Sequence, residues 1–235
     1  MDEIALQREY YRRTSGDYDA AHLGEADEHA IALSAFCGLI KHFPHGSILD
    51  VGAGTGRGVT FLQAALPASH IIGVEPVAEL RVEGYRKGVS KNVLLDGDAL
   101  ALPFADSEFD WVIETGTLHH IRDYRKATAE MCRVARHGVM ISDSNNMGQG
   151  RWFARLLKQT IKSLGLWPAL ISAQTGGKIY KYSEGDGVYY SFCAFDCVEI
   201  LQTKFPMVHF MNTARAAPSL YRTAGHVMIV ARASS

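Results

Sequence analysis

The sequence predicts an α/β protein: seven strands in a mostly parallel sheet, helices on both faces, and an antiparallel C-terminal strand. Three observations lead there. Ile48–Ala53 is a continuous apolar run that ends in glycines, as a buried parallel strand does. Strand-like and helical runs then alternate as far as Asp143, which implies right-handed crossovers and a sheet covered on both faces. Past residue 205 two strand-like runs follow with no room for a helix between them, so they should be antiparallel neighbours.

The elements follow in order. After Ile48–Ala53, Arg57–Leu66 reads as a helix stopped by Pro67. His70–Val74 is the second strand and Val77–Arg86 the second helix, weakened near its end by Gly84. Val93–Leu95 is a short strand, Phe109–Glu114 a longer one, Asp123–Val134 a helix, and Val139–Asp143 the fifth strand. Gly150–Leu164 has helical spacing, and a Gly- and Tyr-rich stretch runs from Gly176 to Tyr190. In the tail, Asp196–Phe205 reads as a helix, and Val208–Asn212 and His226–Ala231 as the last strands. The chain is expected to be one domain in four parts: a helical cap (1–45), a ligand-binding core (46–143), an insertion or lid (144–194), and a helix with an antiparallel hairpin (195–235).

Composition narrows the function class. The chain has 235 residues, 47% of them hydrophobic, enough for one substantial core. Net charge is −1, and a general nucleic-acid binder carries a basic excess that is missing here. The basic stretches Arg122–Arg136 and Arg151–Lys162 read most simply as solvated helix faces. Cys37 and Cys132 stand alone, and Cys193 and Cys197 have no second pair to complete a zinc site, so no metal is expected and the thiols read as reduced. The start, Met1-Asp2-Glu3-Ile4, is unlike a secretory leader, and no stretch is long and apolar enough to span a bilayer. These readings point to a cytoplasmic protein without membrane insertion, and leave a homodimer open.

The most informative segment is Asp50-Val51-Gly52-Ala53-Gly54-Thr55-Gly56-Arg57-Gly58. A strand ends in a glycine turn and a helix begins, so backbone can approach a ligand closely. A nicotinamide fingerprint would want glycine at 57, where this chain has Arg. Three further segments accompany the turn: Gly73-Val74-Glu75-Pro76 closing the second strand, Asp96-Gly97-Asp98-Ala99-Leu100-Ala101-Leu102-Pro103-Phe104, and Phe109-Asp110-Trp111-Val112-Ile113.

Together these resemble the class I S-adenosylmethionine-dependent methyltransferases, most closely their small-molecule branch related to the ubiquinone and sterol enzymes. The likeness covers roughly residues 46–143 and implies a Rossmann-like fold with S-adenosyl-L-methionine as cofactor. On that resemblance the acidic-x-G-x-G-x-G turn (Asp50, Gly52, Ala53, Gly54, Thr55, Gly56) holds the amino-acid half of the cofactor. Glu75, beside Pro76, takes the ribose hydroxyls. Asp98 with Ala99 takes the adenine amine. Glu114, Thr115 and Gly116, at the exit of the fourth strand, complete the site. The N-terminal segment Leu6–His29 carries Tyr10, Tyr11 and Tyr18, and Tyr18 is expected to lie over the cofactor.

Ligands of open α/β sheets bind beyond the carboxyl ends of the strands. His119 and His120 leave the fourth strand there and Asp143 leaves the fifth, so these three are the candidate catalytic residues. Packing or helix capping is the plain alternative for each histidine. His119 is the better candidate to face the acceptor, as a base with an ordinary imidazole pKa near ~6.5. The tyrosines of 178–190, with Glu184 and Asp186, suit a polyhydroxylated or cationic acceptor, a surface hairpin being the plain reading of that stretch. The expected activity is methyl transfer to an O or N atom of a small molecule, with a sugar or glycan precursor as one class. The alternatives are a non-catalytic S-adenosylmethionine-binding module and a C-methyltransferase of a quinone or lipid-like acceptor. An amino-adenine methyltransferase is disfavoured, because Glu114-Thr115-Gly116-Thr117 stands where an N-P-P-aromatic motif would be.

Overall fold

The computed structural model describes residues 3–14, 28–214 and 217–234. Two N-terminal helices, α1 (Glu3–Thr14) and α2 (Glu28–Ile40), precede the sheet. Then follow β1 (Ser47–Val51), α3 (Arg57–Ala65), β2 (His70–Val74), α4 (Ala78–Arg86), β3 (Leu94–Leu95), β4 (Phe109–Thr115), α5 (Tyr124–Val134) and β5 (Ala135–Ser144). The remainder comprises α6 (Trp152–Ser163), α7 (Trp167–Gln174), β6 (Tyr180–Ser183), β7 (Gly187–Tyr190), α8 (Val198–Gln202), β8 (Met207–Asn212) and β9 (His226–Arg232). Seven strands form one sheet in the order β3-β2-β1-β4-β5-β9-β8. All neighbours are parallel except β9, which runs antiparallel to both β5 and β8.

Strand side chains alternate faces with a period of two, and each face has its own core. Leu49, Val112, Val139 and Ala231 lie in one register row across four strands. They are buried against Ala127 and Met131 of α5 and Leu201 of α8. Their neighbours Ile48, Trp111, Met140 and Val230 point the other way, onto Phe36 and Ile40 of α2 and Val59 and Leu62 of α3. The indole of Trp111, fully buried, donates to the carbonyl of Pro44 at 2.8 Å, which satisfies the polar atom of this bulky core residue.

The structure differs from the sequence expectation in three places. β5 begins at Ala135 rather than Val139, because α5 passes directly into it; Ala135 pairs with Phe109 before a shift in register. The tail helix is shorter than Asp196–Phe205: a 3-10 turn at Ala194–Cys197 leads into α8, which ends at Gln202. Phe205 precedes Pro206, which disfavours helical backbone there. A helix at Trp167–Gln174 was not expected, although Pro168 in its first turn is a helix-start signal. The Gly- and Tyr-rich stretch forms a separate two-stranded hairpin, β6–β7, packed on α1, in keeping with its plain reading.

Helix α6 faces the wrong way for a surface helix. None of its residues is buried. Trp152 is 71% exposed, and Phe153, Leu156 and Leu157 each exceed 50%. Its polar side chains turn to the protein instead. Arg155 donates to the Gly150 carbonyl, Lys158 to those of Asn146 and Gln149, Gln159 to those of Met147 and Arg222, and Lys162 to the carboxylate of Asp196.

Candidate active site

The carboxyl ends of β1, β2 and β4 open onto a cavity of about 500 Å³, within the range of small-molecule sites. Gly52 and Gly54 come from the turn after β1, Glu75, Pro76 and Val77 from the end of β2, and Asp98, Ala99 and Leu100 from the loop after β3. Thr115, Gly116, Thr117 and His120 come from the end of β4 and beyond it. Glu3, Gln7 and Tyr11 of α1 and Val188 and Tyr190 of β7 close the other side.

Gly52 lies against the loop after β4. Its φ is +73°, and a Cβ there would stand 2.3 Å from the Thr117 side chain. The Thr117 hydroxyl in turn donates to the Gly52 carbonyl at 3.3 Å. Only glycine fits both the backbone and the space. Beneath the turn Asp50 is buried against Gly58, in the first turn of α3. Burial pushes its carboxyl up to about 7, the Arg57 charge opposing. Among the described residues Asp50 Oδ1 has no hydrogen-bond partner.

The Glu75 carboxylate accepts the amide of Gly54 at 3.1 Å and that of Val77 at 2.8 Å. Burial lifts its pKa to about 7 against those two amides. A carboxylate offers about four acceptor sites, so both oxygens keep capacity toward the cavity. Asp98 caps its own turn, accepting from the Leu100 amide at 2.9 Å.

The second constellation lies where β4 and β5 end. His119 Nδ1 is 2.7 Å from Asp143 Oδ1. His120 Nδ1 is 2.6 Å from the Val188 carbonyl, so it carries the proton. The two rings are 4.0 Å apart between centroids. Both approach Asp186, in the turn between β6 and β7: His119 Nε2 at 3.6 Å and His120 Nε2 at 3.4 Å. Burial alone would lower the His119 pKa, but Asp143 and then Asp186 outweigh it and hold it at about 10. Burial likewise pushes Asp143 up, yet the His119 charge and hydrogen bond bring it to about 2. Asp186 is held far below the ordinary carboxylate range by the two histidines, against its burial. Fully buried Glu114 goes the other way: burial, then the Asp143 charge, drive it well above the usual range, so it stays protonated.

Among the expected cofactor residues, Gly52, Gly54, Glu75, Pro76, Asp98, Ala99, Thr115 and Gly116 line the cavity. Asp50, Ala53, Thr55, Gly56 and Glu114 do not, and Asp50, Thr55 and Glu114 are buried behind it. Tyr18 lies outside the described residues. The expected catalytic trio is held together only in part. His119 and Asp143 are bonded, and His120 lines the cavity but is anchored to β7. Neither His119 nor Asp143 lines the cavity, so of the three expected residues it is His120 that reaches it. Sequence reasoning missed Glu3 and Gln7 as cavity residues and Asp186 as the partner of both histidines.

Three comparisons bear on this site. Residues 49–142 match a family described as a methyltransferase domain. The chain is 38% identical over 98 residues to a demethylmenaquinone methyltransferase of Roseiflexus sp. (strain RS-1), covering 41% of each protein. It is 36% identical over 110 residues to a malonyl-[acyl-carrier protein] O-methyltransferase of Methylococcus capsulatus, covering 45% of this chain and 40% of the relative. The chain therefore spans about two fifths of the length of these curated relatives. Among solved structures it resembles the 1,6-didemethyltoxoflavin-N1-methyltransferase of Burkholderia thailandensis, bound to 1,6-didemethyltoxoflavin and S-adenosylhomocysteine. The TM-score is 0.60 at 18% identity, over 99% of this chain and 89% of that one, a likeness of fold.

Proposed function

We propose that the chain, whose residues 49–142 match a methyltransferase domain, is a class I S-adenosylmethionine-dependent methyltransferase that methylates an O or N atom of a small polar molecule. The observation that carries the reading is the cavity, with the glycine turn, Glu75 and Asp98 along one wall and polar side chains of α1 and β7 on the other. Its chemistry fits S-adenosylmethionine. Glu75 retains acceptor capacity for a pair of hydroxyls, Asp98 for an amine, and Val77, Leu80, Ala99 and Leu100 give a flat ring apolar walls.

When bound, the cofactor supplies a methyl group already activated on a sulfonium. What remains for the protein is to hold the acceptor in line and keep water out. Gln7, Tyr11, His120 and Tyr190 offer the acceptor hydrogen bonds on the side facing the glycine turn. His119, fixed by Asp143 through Nδ1, turns its Nε2 toward Asp186 beside His120 and so helps to position the His120 side of the acceptor site. A sugar or glycan precursor suits the acceptor side, where Glu3, Tyr11, Asp123 and Tyr190 supply carboxylates and phenols.

A second reading, a quinone or lipid-like acceptor, is favoured by the outward apolar face of α6. The test incubates the protein with methyl-labelled S-adenosylmethionine and panels of sugar nucleotides, amines and prenylated quinones, following label transfer. Transfer to one panel decides between the readings. Failure of calorimetry to detect either S-adenosylmethionine or S-adenosylhomocysteine would overturn both.

A further inference from the structure

The geometry of His119, His120 and Asp186 reaches beyond orientation. The Nδ1 of each imidazole is taken, by the Asp143 carboxylate at 2.7 Å and by the Val188 carbonyl at 2.6 Å. Each Nε2 is thereby turned toward the same carboxylate, His119 toward Oδ2 of Asp186 at 3.6 Å and His120 toward Oδ1 at 3.4 Å. Three ligand atoms, one from each residue, lie within 4.8 Å of one another. These separations are long for hydrogen bonds and close to the spacing of neighbouring ligands around an ion with bonds of about 2.0–2.1 Å. All three residues are partly exposed, so an ion can enter.

We propose that His119, His120 and Asp186 form a binding site for a divalent first-row transition-metal ion, with Asp143 and the Val188 carbonyl as the outer partners that fix the two imidazoles. Two nitrogens and one carboxylate suit zinc, iron or cobalt better than calcium or magnesium, which take oxygens. Metal-bound histidines characteristically donate their other ring N–H to a carboxylate or a carbonyl, and this pair shows one of each. Three protein ligands leave coordination positions open. His120 lines the cavity, so those positions suit an oxygen-bearing group of the acceptor, such as a hydroxyl or carboxylate. That last step rests on the methyltransferase reading; the ion site does not.

The test uses the full chain, stripped with a chelator and titrated with Zn²⁺ by calorimetry and with Co²⁺ by visible absorption. One ion per chain is expected. Asp186→Asn and His120→Gln should weaken binding at least ~10-fold, and Asp143→Asn, which removes only an outer partner, by about 10–100-fold. Each variant is checked for fold by its melting temperature and by S-adenosylhomocysteine affinity. No saturable binding, or binding unchanged in folded Asp186→Asn and His119→Gln variants, would leave a plain salt-bridged cluster and overturn the site. Binding of the cofactor product without the ion sinks this inference alone; ion binding without the cofactor product sinks the methyltransferase reading alone.

A different observation concerns α6. Its polar side chains face the body and its apolar ones face out. Leu164 and Leu166 extend the apolar face beyond the helix. From Ser144 to Ser183 the sequence has six Lys or Arg residues and no Asp or Glu, in a chain of net charge −1. Of the six, Arg151, Lys178 and Lys181 are exposed. Apolar side chains outward, with Trp among them and a cationic surround, are what an anionic bilayer surface takes up. No helix among the described residues is long and apolar enough to cross a membrane, so we infer that this face lies on such a surface. The probe is co-sedimentation with phosphatidylcholine vesicles with and without 30% phosphatidylglycerol (roughly a cytoplasmic-leaflet charge density). Binding to the anionic vesicles alone is expected, with at least ~10-fold weaker partition for Leu156→Glu/Leu157→Glu and unchanged S-adenosylhomocysteine affinity. Equal sedimentation of wild type and variant, or a wild-type dimer by light scattering that the variant splits, would overturn it.

Discussion

Gly52 and Thr117 sit so close that a Cβ on residue 52 would be 2.3 Å from the threonine side chain. The turn after β1 and the loop after β4 are thereby locked together at the floor of the cavity. Gly52→Ala should lower affinity for S-adenosylhomocysteine and lower the melting temperature. Two causes can be separated. Adding Thr117→Gly removes all three atoms that a Cβ on residue 52 would meet and should recover the steric part of the loss; the rest, on the order of 1–2 kcal/mol, belongs to the left-handed backbone. Calorimetry and thermal melts on the single and double variants give the split. Equal affinity for wild type and Gly52→Ala would show that the turn does not hold the cofactor.

Glu75 is the one carboxylate on the wall whose two oxygens are already held in place, by Gly54 and Val77. Removing it in Glu75→Ala should weaken binding of the cofactor product by about 1.5–3 kcal/mol, the usual worth of a charge-assisted hydrogen bond. Glu75→Gln should fall between. The measurement is the dissociation constant in folded protein, and a constant equal to wild type would remove Glu75 from the site.

The pH dependence of His119 has a definite sign. In metal-free protein its pKa is raised to about 10 in the fold, against ~6.5 when unfolded. Its contribution to stability is then fully present below about pH 6.5 and is lost as pH rises toward 10. His119→Gln should cost most in melting temperature at pH 6 and least near pH 10. A difference that instead grew with pH would contradict the Asp143–His119–Asp186 arrangement.

Glu114 gives the opposite experiment. Its carboxyl is held protonated by burial and by the Asp143 charge, so folding at neutral pH requires it to take up a proton that the unfolded chain has lost. That penalty appears as pH rises above about 4.3, the unfolded value. Glu114→Gln, neutral and of the same shape, should raise the melting temperature at pH 7–8 and lose its advantage below pH 4. A variant no more stable than wild type at pH 8 would mean that the buried carboxyl is ionised.

What the sequence made legible was local. The strand, glycine turn and helix of 47–65 are contiguous, and Glu75 and Asp98 close or follow strands identified by their apolar runs. A strand end in a parallel sheet fixes where its next residues go, so the wall of the cavity could be read along the chain. The opposite wall could not. Asp186 meets His119 across 67 residues of sequence, and only the packing of β7 on α1 brings it there. Glu3 and Gln7 lie on a helix whose sequence carries no ligand motif. The polar Arg136-His137-Gly138 hid the first half of β5, whose residues are recruited by pairing with β4 rather than by their own preference.

The placement of β9 between β5 and β8 makes it a keystone in assembly. Among the described residues, 207–212 pair with no strand of the sheet except 226–232, so they have nothing to pair with until the later segment arrives. The β8 ribbon must wait, with its amides open, while the chain beyond it doubles back and inserts. A cut anywhere from 213 to 225 would turn a tethered joint into a docking between two pieces, and the edge of the sheet would come away with whichever piece carried it.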